Sequence, residues 1–252
     1  MQITFLGTGT SQGIPVINCP CQVCRSDEAK NKRLRTSISV QTPDLSLLVD
    51  TTTDLRLQLL NNPLPEVNAI LYTHAHADHV NGLDDLRPFN WASNKRIPAF
   101  GDTQTLNRLK LVFDYAFGSG PLSPGIPNLE AYPVRERFQL DGLSIIPLEL
   151  MHGDTPVYGY RIKNFAYCTD VSFIPEKTYE KLTGLEILVL GALRERPHPT
   201  HFSLSEAIVA AEKIGAEKTY FIHMCHEIDH TSTEENLPQN MYLAYDGLIL
   251  EC

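Results

Sequence analysis

Between Thr73 and Asp85 the chain reads THAHADHVNGLDD, three histidines and three aspartates in thirteen residues. Imidazole nitrogen and carboxylate oxygen together suit a borderline divalent cation, and His74, His76, Asp78 and His79 offer four such donors within six residues. One ion rarely takes all four from so short a segment. In a tight turn after a strand, His74 and His76 can serve one ion while Asp78 and His79, in the first turn of the next segment, serve a second. The spacing points to two cations, and the chemistry of such a pair is activation of water for hydrolysis. Further donors stand after apolar runs elsewhere: His152 after IIPLELM, Asp170 after FAYCT and His223 after TYFI. Taken alone, each of these three reads as an ordinary polar residue at a strand end. Asp50, closing LSLLVD, is expected to accept hydrogen bonds from the ligand loop, with a plain strand-ending aspartate as the alternative.

A second group of donors lies in CPCQVC, where Cys19, Cys21 and Cys24 are too close together for a disulfide framework. Three thiolates need one more donor for a tetrahedral zinc, and Cys225 and His226 are the neighbouring candidates. A redox reading of the loop lacks the two-cysteine Cys-x-x-Cys and its helix. Cys168 and Cys252 have no such neighbours.

Donors scattered over 150 residues need a rigid scaffold to meet. Short apolar runs supply it: ITFL, SISV, LSLLV, AILYT, IPAF, LSIIPLEL, VYGYRI, FAYCT, EILVL, TYFIHM, and LAYDGLIL with an Asp-Gly turn inside it, all read as strands. Helical spacing appears in Thr53 to Leu60, Asp102 to Phe113 and Ser203 to Gly215, the last opened by a Ser-x-x-Glu capping box. The Gly- and Pro-rich stretch Gly118 to Pro133 should be a loop. Gly7, Gly9 and Gly13 fit no nucleotide-binding spacing and are expected to turn the chain into the cysteine loop. The order suggests two similar halves, each a sheet with helices on its outer face.

With 252 residues, 42% hydrophobic and 20% charged, the chain can bury one large core. Its net charge is −9 and its only cationic block is KNKRLR, which disfavours long nucleic acid and favours a small substrate. No run approaches the roughly 20 apolar residues of a membrane span, and Met1 leads straight into the strand-like QITFLG. A cytoplasmic protein without a membrane partner is expected.

The run THAHADH resembles the signature of the metallo-β-lactamase superfamily, and the likeness extends from FLGTGTSQG to AYDG. The resemblance implies an α/β fold, a four-layered αβ/βα sandwich formed as one domain over residues 1–252. It implies His74, His76 and His152 at a first metal, Asp78, His79 and His223 at a second, and Asp170 bridging them, with Mn2+ or Zn2+ equally acceptable. Within the superfamily the cysteine loop is similar to that of the PhnP-type cyclic phosphodiesterases. That likeness implies a structural Zn2+ on Cys19, Cys21, Cys24 and His226, since His223 and His226 reproduce the family's three-residue interval; four cysteines including Cys225 remain the alternative. It also implies an acid-base histidine ahead of the capped helix, here His201 in preference to His198, beside Asp78 as the other catalytic residue. The expected activity is hydrolysis of a small phosphodiester such as a phosphoribosyl 1,2-cyclic phosphate or a nucleoside 2′,3′-cyclic phosphate. Other readings are a nuclease like those that process transfer-RNA 3′ ends, which share AYDG, a thioester or lactone hydrolase, and a carrier resembling pyrroloquinoline quinone biosynthesis protein B. A homodimer, common among relatives, is left open.

Overall fold

A computed structural model describes residues 1–123 and 125–252. Six strands in the first half, β1 (Gln2–Gly7), β2 (Ser37–Gln41), β3 (Ser46–Val49), β4 (Ala69–Leu71), β5 (Ile97–Gly101) and β6 (Leu129–Pro133), lie side by side in chain order. The second sheet holds β7 (Phe138–Leu140), β8 (Leu143–His152), β9 (Thr155–Ile162), β10 (Phe165–Cys168), β11 (Ile187–Gly191), β12 (Lys218–Ile222) and β13 (Met241–Leu243), again in chain order. The last strand, β14 (Ile249–Glu251), returns to pair antiparallel with β1, through Gln2 and Glu251, and completes the first sheet.

The two sheets share one pairing pattern. Starting from β14 in one and β7 in the other, three antiparallel pairings are followed by three parallel ones. Both sheets are mixed, and their parallel halves lie under helices because parallel neighbours require crossovers.

Strand residues alternate between two buried faces. Leu47, Val49 and Leu71 meet Ile145, Tyr160 and Val189 between the sheets, while Leu48 and Ile70 face outward onto Leu83, Leu86, Leu106 and Leu109. In the second sheet Leu188, Leu190 and Phe221 turn outward to Leu204, Ala207 and Ala211. Apolar residues on both sides of a strand explain why the sequence shows continuous runs and little polar alternation. The result is a four-layered sandwich of helices, sheet, sheet and helices, as the resemblance implies.

Capping chemistry sets the helix ends. Ser203 accepts from the Glu206 N–H while the Glu206 carboxylate takes the Ser203 N–H, and Gly215 closes Leu204–Ile214 in the left-handed conformation at φ 69°. Asp102 accepts from the Gln104 and Thr105 N–H groups at the head of Thr103–Val112, which buries Thr105, Leu106 and Leu109 and leaves its other face to solvent. Among the described residues no helix is long and apolar enough to cross a membrane.

Two expectations need correction. The stretch Gly118 to Pro133 is not all loop: Leu129–Pro133 is β6, and its alternation was hidden by a charge and a closing proline. Pro124, inside that stretch, lies outside the described residues. LAYDGLIL divides at the expected Asp246-Gly247 turn, with β13 and β14 on either side, and that turn carries the chain from the second sheet to the first. There Asp246 accepts from Leu34 N–H at 2.6 Å and Thr8 Oγ1 at 2.8 Å. Finally, Gly13 turns at φ 63°, but Gly7 and Gly9 serve close approach, since a Cβ on Gly7 would stand 2.1 Å from the Arg35 carbonyl.

Candidate active site

The histidine run leaves β4 through Tyr72 and Thr73, and both sheets hold that exit. The Tyr72 carbonyl accepts from the Tyr160 hydroxyl at 2.7 Å and the Thr73 carbonyl from Tyr158 N–H at 2.9 Å. On the other side the Asp50 carboxylate accepts from the Thr73 N–H and the Thr73 hydroxyl, each at 2.8 Å. The short helix Ala77–Val80 then carries Asp78 and His79 in its first turn, as the spacing predicts. Gly82 lets that turn pass against Thr52, whose carbonyl a Cβ would meet at 1.9 Å.

His79 is held from both ends. Its Nδ1 lies 2.7 Å from Asp50 Oδ2 and donates to it, which leaves Nε2 bare, 3.2 Å from Asp170 Oδ1 and 3.3 Å from Asp78 Oδ2. His152, the last residue of β8, donates through Nδ1 to the Thr200 carbonyl at 2.7 Å. Its Nε2 is thereby the free nitrogen. Asp50 thus acts as the acceptor expected from the sequence, whereas Thr200 acts through its backbone and its residue type gave no signal.

Asp170 stands at the centre. Its Oδ1 accepts from Thr169 Oγ1 at 2.7 Å and lies 3.1 Å from His223 Nδ1, while Oδ2 lies 3.8 Å from His74 Nε2. Among the described residues three His/Asp trios have donor atoms within 4.8 Å of one another: His74, His76 and Asp170; His79, Asp170 and His223; His152, Asp170 and His201. All three contain Asp170. The His152 ring sits 5.1 Å from that of His76 and 5.8 Å from that of His74, and His201 stacks on His223 at 4.9 Å. His198 lies further out, its ring 5.2 Å from His201. Asp50, Asp170 and His223 all adopt positive φ, at 65°, 47° and 59°. Each costs about 1 kcal/mol or more and is held by the contacts just described.

The electrostatics call for a cation. Burial would raise the Asp170 carboxyl, but the His223 and His79 imidazoles outweigh it and hold it well below the usual carboxylate range. Burial likewise opposes charge on His79, yet Asp170, Asp50 and Asp78 together push its imidazole well above its ordinary value. His74, buried and beside His79, is pushed well below. His74 Nε2, His79 Nε2 and His223 Nδ1 are buried without a hydrogen-bond partner. Orphaned imidazole nitrogens around ionised carboxylates fit divalent metal ions, which take both donor types and supply the missing positive charge. The side chains could hold two such ions, with Asp170 common to both.

The cysteine loop meets the opposite end of the chain. Cys19, Cys21 and Cys24 Sγ lie 3.1, 3.7 and 3.7 Å from His226 Nδ1, and the four donors fall within 4.8 Å of one another. The Cys24 N–H lowers the Cys21 thiol, while burial pushes Cys24 up to about 11. Three sulfurs and one nitrogen fit a closed tetrahedral zinc site that would hold Cys24 as thiolate. Cys225 stays outside this tetrad; its Sγ accepts from the Glu227 N–H at 3.3 Å. Its carbonyl accepts from the buried Arg33 guanidinium at 3.2 Å, which fixes the turn that carries His226.

A groove of about 470 Å³ opens beside His74 and His76, walled by Thr155 and Pro156 and by Gln104, Asn107, Arg108 and Leu111 of the helix Thr103–Val112. The sequence marked that helix but none of these side chains, because a polar helix face facing a site reads the same as one facing solvent.

The profile of the family described as "Beta-lactamase superfamily domain" matches residues 46–224. A solved structure of a diphosphatase from the PhnP family is 43% identical, with a TM-score of 0.93 over 99% of this chain and 96% of that one. Zn2+-bound PqqB from Methylobacterium extorquens, 20% identical with a TM-score of 0.82 over the whole of both chains, shares the fold. Among curated proteins, an octanoyltransferase of Porphyromonas gingivalis is 36% identical over 98% of this chain but only 51% of its own length. The chain spans about half of that relative. By sequence and fold, the chain belongs to the metallo-β-lactamase superfamily and, within it, to the PhnP family, and it is a metal-dependent hydrolase.

Proposed function

We propose that this hydrolase acts on a small phosphodiester, with phosphoribosyl 1,2-cyclic phosphate and nucleoside 2′,3′-cyclic phosphates as the preferred class. The observation that carries the reading is the gathering of five imidazoles around one ionised carboxylate, His74, His76, His79, His152 and His223 about Asp170, with Asp78 beside His79. In this reading His74, His76 and His152 hold one divalent cation, Asp78, His79 and His223 the other, and Asp170 both. When bound, the cations, Mn2+ or Zn2+, supply Lewis acidity that acidifies water and draws charge from a phosphoryl oxygen. Cys19, Cys21, Cys24 and His226 hold a separate structural Zn2+.

The remaining work falls to the chain's own groups. Asp50 and the Thr200 carbonyl fix the tautomers of His79 and His152, so that each turns a bare nitrogen inward. Burial, reinforced by His223, pushes His201 down to about 3, so its imidazole rests neutral and must take a proton before it can give one. Beside His152 and His223, it is placed to carry that proton to a departing ribose oxygen. A net charge of −9 favours a small phosphate ester over long nucleic acid, and reduced thiolates suit the cytoplasm.

The 43% identical neighbour is a diphosphatase, which favours a second reading, hydrolysis of a phosphoanhydride. A departing phosphate needs no proton at neutral pH, so dependence on His201 separates the two. The test is turnover of a 2′,3′-cyclic nucleotide, bis-p-nitrophenyl phosphate and a nucleoside diphosphate by metal-stripped protein resupplied with Mn2+ or Zn2+, with metals counted. Diester turnover with about three metals per chain supports the proposal. Turnover of the diphosphate alone moves the reading to anhydrides, and turnover of neither refutes both.

A further inference from the structure

The outer face of the second sheet is only partly covered. Leu182, which closes the helix Glu176–Lys181, shares a buried cluster with Leu148 of β8. Ser144 and Ile146, two and four residues back along that strand, share the face of Leu148, and Arg161 of β9 pairs with Ile146. Here, past the helix end, lies a hollow of about 670 Å³, lined also by Arg135 and Arg137 of the turn before β7 and by Lys163 and Lys181. Its size suits a small ligand. The chain carries a net charge of −9, yet five cations meet in this hollow against two carboxylates, Glu136 and Glu180. Among the described residues no ion pair joins the two sets, and the side chains of Arg135, Arg137 and Lys163 make no hydrogen bond. Arg161 meets neutral acceptors only: its Nε donates to the Lys163 carbonyl at 2.9 Å and its Nη1 to the carbonyls of Lys181 and Thr183. Burial, with the Arg137 charge beside it, lowers that guanidinium from its ordinary value. Lys163 is held at φ 54°, where glycine or asparagine would sit with less strain. A concave wall of one charge sign focuses the potential and gathers anions.

We propose that this hollow is an anion-binding site, separate from the hydrolytic centre, for a compact molecule with two phosphate groups. The surplus of cations over carboxylates exceeds the charge of one phosphate dianion, so two groups are needed to offset it. A long polyanion would run on from the hollow onto an acidic protein, which favours a compact ligand. Guanidinium forks match phosphate oxygens in paired bonds, the Ser144 hydroxyl is a further donor with no partner among the described residues, and Ile146 offers an apolar patch to the carbon skeleton. None of the lining residues is a donor of either metal cluster or borders the groove beside His74. The site therefore stands whichever bond the hydrolytic centre cleaves.

Calorimetry of metal-loaded protein with fructose 1,6-bisphosphate tests the proposal, because this probe has two phosphate monoesters and neither a diester nor an anhydride bond to cleave. The bisphosphate should bind saturably, with an affinity that falls as salt rises, and fructose 6-phosphate should bind about tenfold or more weakly. Arg137→Glu and Lys163→Glu should each weaken the bisphosphate by about tenfold or more. Both side chains are exposed, so the fold should persist, and a thermal melt checks it; Arg161 is left in place because it holds the helix end. Asp78→Ala, altered at the hydrolytic centre, should bind the bisphosphate as the unaltered protein does. Absence of saturable binding, affinity that survives both charge reversals, or affinity lost in Asp78→Ala overturns the proposal. So does capture of a hexa-aspartate peptide in preference to the bisphosphate, which would make the hollow a docking face for protein.

Discussion

Replacing Asp50 by asparagine tests how far the site depends on a residue that need touch no metal. Asp50 is fully buried and accepts three hydrogen bonds, from Thr73 N–H, the Thr73 hydroxyl and His79 Nδ1. Asparagine has the same shape and tolerates a φ of 65°, so the turn after β3 should keep its path. Its amide oxygen can still take the Thr73 N–H. Its NH2, however, stands where Oδ2 accepted from both the hydroxyl and the imidazole. The hydroxyl can rotate away, but His79 can avoid a donor-donor clash only by moving its proton to Nε2. That nitrogen faces Asp170 and Asp78 and is the one a cation needs bare. The lost bond to a charged acceptor is worth about 1.5–3 kcal/mol, which corresponds to a fall in metal affinity of about 10–100-fold. Competition with a calibrated chelator reads that affinity, and a thermal melt of the metal-free protein checks that the fold is intact. Unchanged affinity in a folded Asp50→Asn protein would refute the tautomer argument.

Other perturbations reach different parts of the molecule. His201→Ala should slow a diester with an alkoxide leaving group by about 10²-fold or more, and a p-nitrophenyl ester far less; equal losses in steady-state assays would remove the proton-carrier role. Cys24→Ser should leave the chain one zinc short and destabilise it by about 2 kcal/mol or more, lowering Tm by about 4–8 °C; metal counting with a melt checks both. A protein that kept its zinc count and Tm would exclude Cys24 from the clamp. Gly82→Ala should cost about 3 kcal/mol, since its Cβ would overlap the Thr52 carbonyl at 1.9 Å and crowd Leu55. Wild-type denaturant stability for that variant would show that the close approach of Gly82 to Thr52 relaxes freely.

How much of this was legible in the sequence depended on distance along the chain. The run His74 to His79 announced itself because its donors share one turn, and the capping box at Ser203 because its partners are three residues apart. His152, Asp170 and His223 were readable as strand-end residues but joined the site only through the resemblance, since nothing local says which strand ends meet. The Thr200 carbonyl is silent by nature, a backbone group whose side chain takes no part in the bond. The helix Glu176–Lys181 and the strand Phe138–Leu140 are too short to show periodicity. The Asp-Gly turn at 246–247 was legible as a break between strands, but the dipeptide is silent about which sheet receives the next strand.

The return of β14 to β1 bears on how the chain reaches its native state. The pairing of Gln2 with Glu251 joins positions at opposite ends of the sequence, so loop closure makes it among the slowest contacts to form. Until it forms, β1 is an open edge whose uncharged QITFLG segment carries Ile3, Phe5 and Leu6, a ready template for another chain. Nascent or refolding protein is therefore most exposed to aggregation after the first sheet has assembled through β6 and before the last strand arrives. Removing Ile249 to Glu251 should prolong that interval indefinitely, turning a soluble refolding reaction into one whose yield falls with concentration.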